Sequence, residues 1–129
     1  TLRDAARFGQ MILQDGHYNG TQVVPRSVAR RIKVKRNHEL IDKFYKDDWY
    51  GGIADSYHDQ WWGYKDVNAV AALGVHGQFI YINSDADVVI ARHWQEANPL
   101  KFKNANARLG QLRNDIFTTA SSIASRRHW

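Results

Sequence analysis

The sequence predicts an α+β domain: an antiparallel sheet of about three strands, flanked by an N-terminal and a C-terminal helix. Three observations carry this. Leu2, Ala5, Phe8, Ile12 and Leu13 recur at the spacing of one helix face. Residues 78–82 and 87–93 are apolar runs of strand length, separated by the turn-forming Asn83-Ser84-Asp85-Ala86, and so should pair as an antiparallel hairpin. Leu109, Leu112, Ile116, Ala120 and Ile123 mark one face of a last helix over residues 104–125.

The first helix has a start and a stop. Thr1 with Asp4 three positions on forms a capping arrangement, and Gly16 ends the helix. Asn19-Gly20 is a strong turn signal. Pro25 favours a helix start, giving a short basic helix over residues 26–34. Residues 35–56 lack clear periodicity and are expected as a long loop, a length that in compact domains accompanies function or mobility. Residues 57–64 hold Tyr57, Trp61, Trp62 and Tyr64, a strand composition, and residues 69–75 are small and apolar. Both strands of the 78–93 hairpin are apolar on each face, which implies a sheet covered on both sides.

With 129 residues, the chain is long enough for one compact domain or for part of a larger one. At 43% hydrophobic and 24% charged residues it is too apolar for a disordered chain. Eighteen Lys and Arg against thirteen Asp and Glu leave a net charge of +5. The positive charges are dispersed, the densest runs being residues 30–36 and Arg126-Arg127, so no nucleic-acid partner is expected. The absence of cysteine excludes disulfides, thiolate metal sites and a cysteine nucleophile. No apolar run approaches the roughly 18 residues of a membrane span. The six histidines show no metal-type spacing, and no phosphate loop or dinucleotide fingerprint occurs, so neither metal nor cofactor is expected.

The stretch Ala72-Leu73-Gly74-Val75-His76-Gly77-Gln78 is the most informative for chemistry. Two glycines flank a histidine just before an apolar strand. Glycine there permits close approach of a ligand or of another backbone, and free N–H groups at such a point can face a developing oxyanion. His76 has the residue type of an acid or base. A bulge for the glycines and a hydrogen-bonded structural role for the histidine fit the same spacing.

Gly74-Val75-His76-Gly77-Gln78-Phe79-Ile80-Tyr81-Ile82, followed by a turn and Val88-Val89-Ile90, resembles the third-motif region of the β-lactamase/penicillin-binding-protein family of serine hydrolases. The likeness is to the branch of linear-amide and ester hydrolases that includes 6-aminohexanoate-dimer hydrolase. Three further stretches fit in order. Residues 3–13 are similar to that branch's helix with D-x-A-R-F-G, Asn19-Gly20-Thr21-Gln22-Val23-Val24-Pro25 to its G-x-x-V-V-P turn, and Tyr57-His58-Asp59-Gln60-Trp61-Trp62 to its Y-x-x-x-W-W strand.

The resemblance implies the C-terminal part of a β-lactamase-like α/β domain, spanning residues 1–129 as a single partial domain. It also implies an acyl-enzyme mechanism in the intact protein, acting on a small ester or amide substrate. Val75 N–H would donate to the oxyanion, with Gly74 permitting the geometry. His76, Gly77 and Gln78 would support that loop, Trp61 would line the substrate pocket or the sheet core, and Tyr50 would reach the pocket from the long loop. Trp62 would face away from Trp61, because strand side chains alternate.

The family's nucleophile motif is missing. No Ser-x-x-Lys occurs, and in Ser27-Val28-Ala29-Arg30 the arginine stays charged and cannot serve as a base. Tyr81-Ile82-Asn83 spells the family's Tyr-x-Asn but follows the third motif, so a coincidence is expected. Three readings remain: a fragment of a serine hydrolase, inactive alone; a non-catalytic binding module on the same fold; and a basic nucleic-acid binder. The fragment reading predicts partners in the missing N-terminal part of the same fold, or in a second copy through an exposed sheet face. Of the bacterial compartments, periplasm and cytoplasm both remain open.

Overall fold

The computed structural model describes residues 1–47, 52, 54–74, 78–93 and 122. Helix α1 spans Leu2–Leu13, and Thr1 caps it: Asp4 N–H donates to Thr1 Oγ1 at 3.2 Å, and Thr1 N donates to Asp4 Oδ2 at 3.2 Å. The expected capping arrangement is therefore a closed capping box. Strands β1 (His17–Tyr18) and β2 (Thr21–Gln22) form a small hairpin closed by Asn19 and Gly20, both at positive φ, as a two-residue turn requires. Helix α2 (Arg26–Lys33) follows Pro25.

The expected loop 35–56 is not structureless. Helix α3 (His38–Phe44) lies inside it, and strand β3 (Ala54–His58) begins before its end. A seven-residue helix is too short for a periodic signal to rise above its polar neighbours. The expected single strand over residues 57–64 is a hairpin of β3 with β4 (Trp61–Tyr64), turning at Asp59-Gln60. With β5 (Ala69–Leu73), β6 (Phe79–Asn83) and β7 (Val88–Arg92), the main sheet has five strands rather than about three. The C-terminal helix of the sequence reading lies outside the described residues.

All five strands run antiparallel in the order β3-β4-β5-β6-β7, a meander. This topology sorts the connections. The β3–β4 turn, the 74–78 connection and the end of β7 share one end of the sheet. The β4–β5 and β6–β7 turns share the other.

Each sheet face carries a core, because neighbouring strand residues point opposite ways. One face holds Met11 and Ile12 of α1 and Ala29 of α2 against Trp61, Val70 and Ile82. Burying one such aliphatic side chain contributes about 1.5–3 kcal/mol. The other face holds Ala54, Tyr64, Ala71, Phe79 and Tyr81, with Tyr64 and Tyr81 edge-to-face at 5.3 Å. Gly9 brings α1 down onto β6 and β7: a Cβ there would stand 2.5 Å from Val89 Cγ1 and 2.9 Å from Ile80 Cγ2.

On the sheet, Trp62, Leu73, Ile80, Val89 and Ile90 are half-buried. Among the described residues the more exposed large apolar side chains, such as Leu2, Phe8, Val28 and Phe44, lie on helices, with Val23 and Val34 in connections. The basic run 30–36 is largely paired internally. Arg30 and Lys33 reach Asp15 at 2.9 and 2.6 Å, Arg31 reaches Asp59 at 2.7 Å, and Lys35 reaches Asp55 at 3.2 Å. Among the described residues no helix is long and apolar enough to cross a membrane.

Candidate functional site

The sheet end that gathers the β3–β4 turn, the 74–78 connection and the end of β7 also carries a cleft of about 450 Å³. Gly74 and Gln78, both exposed, line it. Gly74 N–H donates to Gln78 O at 2.7 Å, which pins together the two ends of the connection holding residues 75–77. A Cβ on Gly74 would come within 3.3 Å of Gln78 Cβ, so a side chain there would crowd this closure.

The apolar wall comes from α1 and β4. Phe8 of α1 stacks on Trp61 with ring centroids 6.5 Å apart and 19° between planes. Trp61 is only 6% exposed, whereas Phe8 is 44% exposed and presents its free face to the cleft. Trp61 packs in the α1-side core and also lines the cleft. Trp62 lies on the opposite face, packed on Tyr57 at 4.5 Å and Tyr45 at 5.4 Å. Arg92 and His93 border the cleft from β7.

The β3–β4 turn forms the polar rim. Asp59 and Gln60 have φ of +49° and +68°, the left-handed region at both central positions of a two-residue hairpin turn. Holding Gln60 there costs about 1 kcal/mol relative to glycine. The turn is clamped from outside. Arg31 donates from Nε and Nη2 to the two Asp59 oxygens, each at 2.7 Å, and His58 Nδ1 lies 3.0 Å from Asp59 Oδ2. The Arg31 hydrogen bonds, then the His58 contact, hold the Asp59 carboxyl below the usual carboxylate range. Buried His58 reaches Val34 O with Nε2 at 2.5 Å, tying the turn to the end of α2.

Of the residues singled out in the sequence, Trp61, Gly74 and Gln78 come together at this cleft. Val75, His76, Gly77 and Tyr50 lie outside the described residues. Phe8, Gln60 and Arg92 line the cleft and escaped the sequence reading. Phe8 was absorbed into the buried face of the first helix, and Gln60 into a continuous strand. The polar pair Asp59-Gln60 between two aromatic pairs was the available signal for a turn.

Two lookalike motifs are structural. Tyr81 is fully buried, and its hydroxyl accepts from Asn83 Nδ2 at 3.2 Å, while Asn83 Oδ1 accepts Ala86 N–H at 2.9 Å and shapes the β6–β7 turn at the far end of the sheet. Ser27 lies exposed on α2, and Arg30 is spent on Asp15. Among the described residues no group of three or more His, Asp or Glu could hold a metal ion.

A five-stranded antiparallel meander with a helix laid on it, and a cleft at one strand end, corresponds to part of the β-lactamase/penicillin-binding-protein-like fold. The chain is similar in sequence and in structure to proteins named as 6-aminohexanoate-dimer hydrolases. The chain is 31% identical to the 6-aminohexanoate-dimer hydrolase of Paenarthrobacter ureafaciens, over 73% of its own length and 26% of the relative's. It superposes with a TM-score of 0.67 and 31% identity on a Bacillus anthracis protein described as a 6-aminohexanoate-dimer hydrolase, covering 97% of this chain and 29% of that one. It therefore spans between a quarter and a third of the length of these relatives. No family model matches the chain.

Proposed function

We propose that the chain is the C-terminal part of a β-lactamase-family serine hydrolase that cleaves ester or amide bonds through an acyl-enzyme. It contributes an oxyanion-hole strand end and one pocket wall; the nucleophile lies outside these 129 residues. The observation that carries this is the cleft at the end of β5 and β6, where Gly74 and Gln78 are pinned together beside an aromatic wall. The likeness to two 6-aminohexanoate-dimer hydrolases supports the reaction class.

In this reading a serine of the intact protein attacks the substrate carbonyl, and the carbonyl oxygen gains negative charge. Val75 N–H donates to that oxygen, with Gly74 giving the backbone room. His76, Gly77 and Gln78 hold the connection in shape. Trp61 bounds the acyl group, and Tyr50 closes the pocket from the segment before β3. The tetrahedral intermediate collapses, the bond to the alcohol or amine breaks, and that group leaves with the proton the serine gave up; water then attacks the acyl-serine, releases the acid and restores the serine hydroxyl.

The test is hydrolysis of 4-nitrophenyl hexanoate. The 129-residue chain alone is expected to be inert, whereas a longer reading frame that includes a Ser-x-x-Lys is expected to hydrolyse the ester and retain an acyl adduct by mass spectrometry. Turnover by the short chain would overturn the reading.

A second reading, a non-catalytic binding module on the same fold, is favoured by one specific observation: no Ser-x-x-Lys occurs in the sequence. A longer reading frame without that motif would select it.

A further inference from the structure

Gln60 occupies an unusual position. It sits at φ +68°, where glycine or asparagine is the ordinary choice, and lines the cleft beside Trp61. No hydrogen bond engages its amide among the described residues. Its neighbour Asp59, which also lines the cleft, is engaged by Arg31 and His58, so the turn is held through Asp59 rather than through Gln60. The sequence thus maintains a strained residue with a free amide at the junction of the polar rim and the apolar wall made by Phe8 and Trp61. Backbone strain held by surrounding bonds, at a cleft, marks a position kept for what its side chain does there.

We infer that Gln60 is a specificity-determining residue that distinguishes amides from esters. Gln60 Oε1 accepts the N–H of a linear amide whose acyl chain lies on the Phe8–Trp61 wall; an ester offers no donor at that place. Arg31 is the positioning residue, acting only through Asp59. The inference rests on the acyl-hydrolase reading of the cleft and names which acyl derivative it prefers.

The experiment compares N-methylhexanamide with methyl hexanoate, which replaces the N–H by oxygen at equal length. Binding to the 129-residue chain is followed by NMR at the Trp61 indole. The amide is expected to bind about fivefold tighter, the worth of one neutral hydrogen bond. Gln60→Gly is expected to raise Tm, by relieving the positive φ, and to remove the preference. Gln60→Asn, which tolerates the same backbone region, is expected to weaken it. Arg31→Gln is expected to reduce the preference and Arg31→Lys to restore part of it, a change in ratio that a purely structural role would not produce. Phe8→Ala is expected to weaken both ligands equally. A preference that survives Gln60→Gly, or equal binding of both ligands to the unaltered chain, would overturn the inference and leave the acyl-hydrolase reading standing. If neither ligand shifts Trp61 while the longer reading frame hydrolyses 4-nitrophenyl hexanoate, the inference falls and the acyl-hydrolase reading stands.

Discussion

Arg31 and Asp59, 28 positions apart, are joined by two hydrogen bonds of 2.7 Å, and this fork fixes α2 to the turn that rims the cleft. Both side chains keep substantial exposure, 59% and 35%, so screening by salt should matter. Arg31→Ala is expected to lower the urea midpoint modestly in low salt and less in about 1 M salt, where the Debye length is about 3 Å. A double-mutant cycle with Asp59→Asn measures the coupling; a coupling of zero in low salt would show the fork to be idle.

Acid should unfold the chain through carboxylates whose partners are cations. Lys33, then Arg30, hold the Asp15 carboxyl below its ordinary value of 3.8, and Arg31 does the same for Asp59. A depressed native pKa adds stability that is present above the unfolded value, and that stability is lost as pH falls through the native one. Stability is therefore expected to decline as pH drops below 3.8, with both groups contributing. Urea midpoints across this range check it, and Asp15→Asn should flatten the acid limb.

Gly9→Ala is expected to destabilise, although alanine is the better helix former by about 1 kcal/mol. The new methyl would stand 2.5 Å from Val89 Cγ1, and such overpacking costs about 1–3 kcal/mol. Val89→Ala should recover part of the loss in the double variant. Additive losses by thermal denaturation would show that the contact is not the cause.

Tyr81→Phe is expected to cost about 1 kcal/mol, since the buried Asn83 amide loses its partner. It should leave ligand binding at the cleft unchanged, because Tyr81 serves the far turn. Burial also raises the Tyr81 pKa, so its phenol should ionise later than an exposed tyrosine in an alkaline absorbance titration. Loss of cleft binding in Tyr81→Phe would mean that the Tyr-x-Asn spelling is functional after all.

Much of the fold was legible because local chemistry spelled it out. Thr1 and Asp4 announce a helix start, Asn19-Gly20 a two-residue turn, and the 78–93 segment a hairpin. The misses share a cause. Helix α3 has seven residues, and the β3–β4 turn uses Asp59-Gln60 where Asn-Gly is usual. Neither carries the signal that short-range reading depends on, and both are held by partners far along the chain: His38 Nδ1 lies 2.5 Å from Asp55 O, and Arg31 holds Asp59.

The candidate site divides in the same way. Gly74, Gln78 and Trp61 stood out because the stretches that hold them resemble motifs of the β-lactamase-type hydrolases; the glycine spacing alone fits a bulge as well. Phe8, Gln60 and Arg92 did not, because each looks unremarkable in its own segment.

By itself the sequence determined the helix start, the turns with their own turn residues, the alternation that sends Trp61 and Trp62 to opposite faces, and the lack of a Ser-x-x-Lys. Those follow from bonds and sterics within a few residues. Only the tertiary structure decided that five strands form one meander, that Phe8 closes on Trp61, and that Arg31 holds a strained turn at the rim of the cleft. Such contacts depend on packing between segments far apart in the chain, where the burial of one surface selects the position of another.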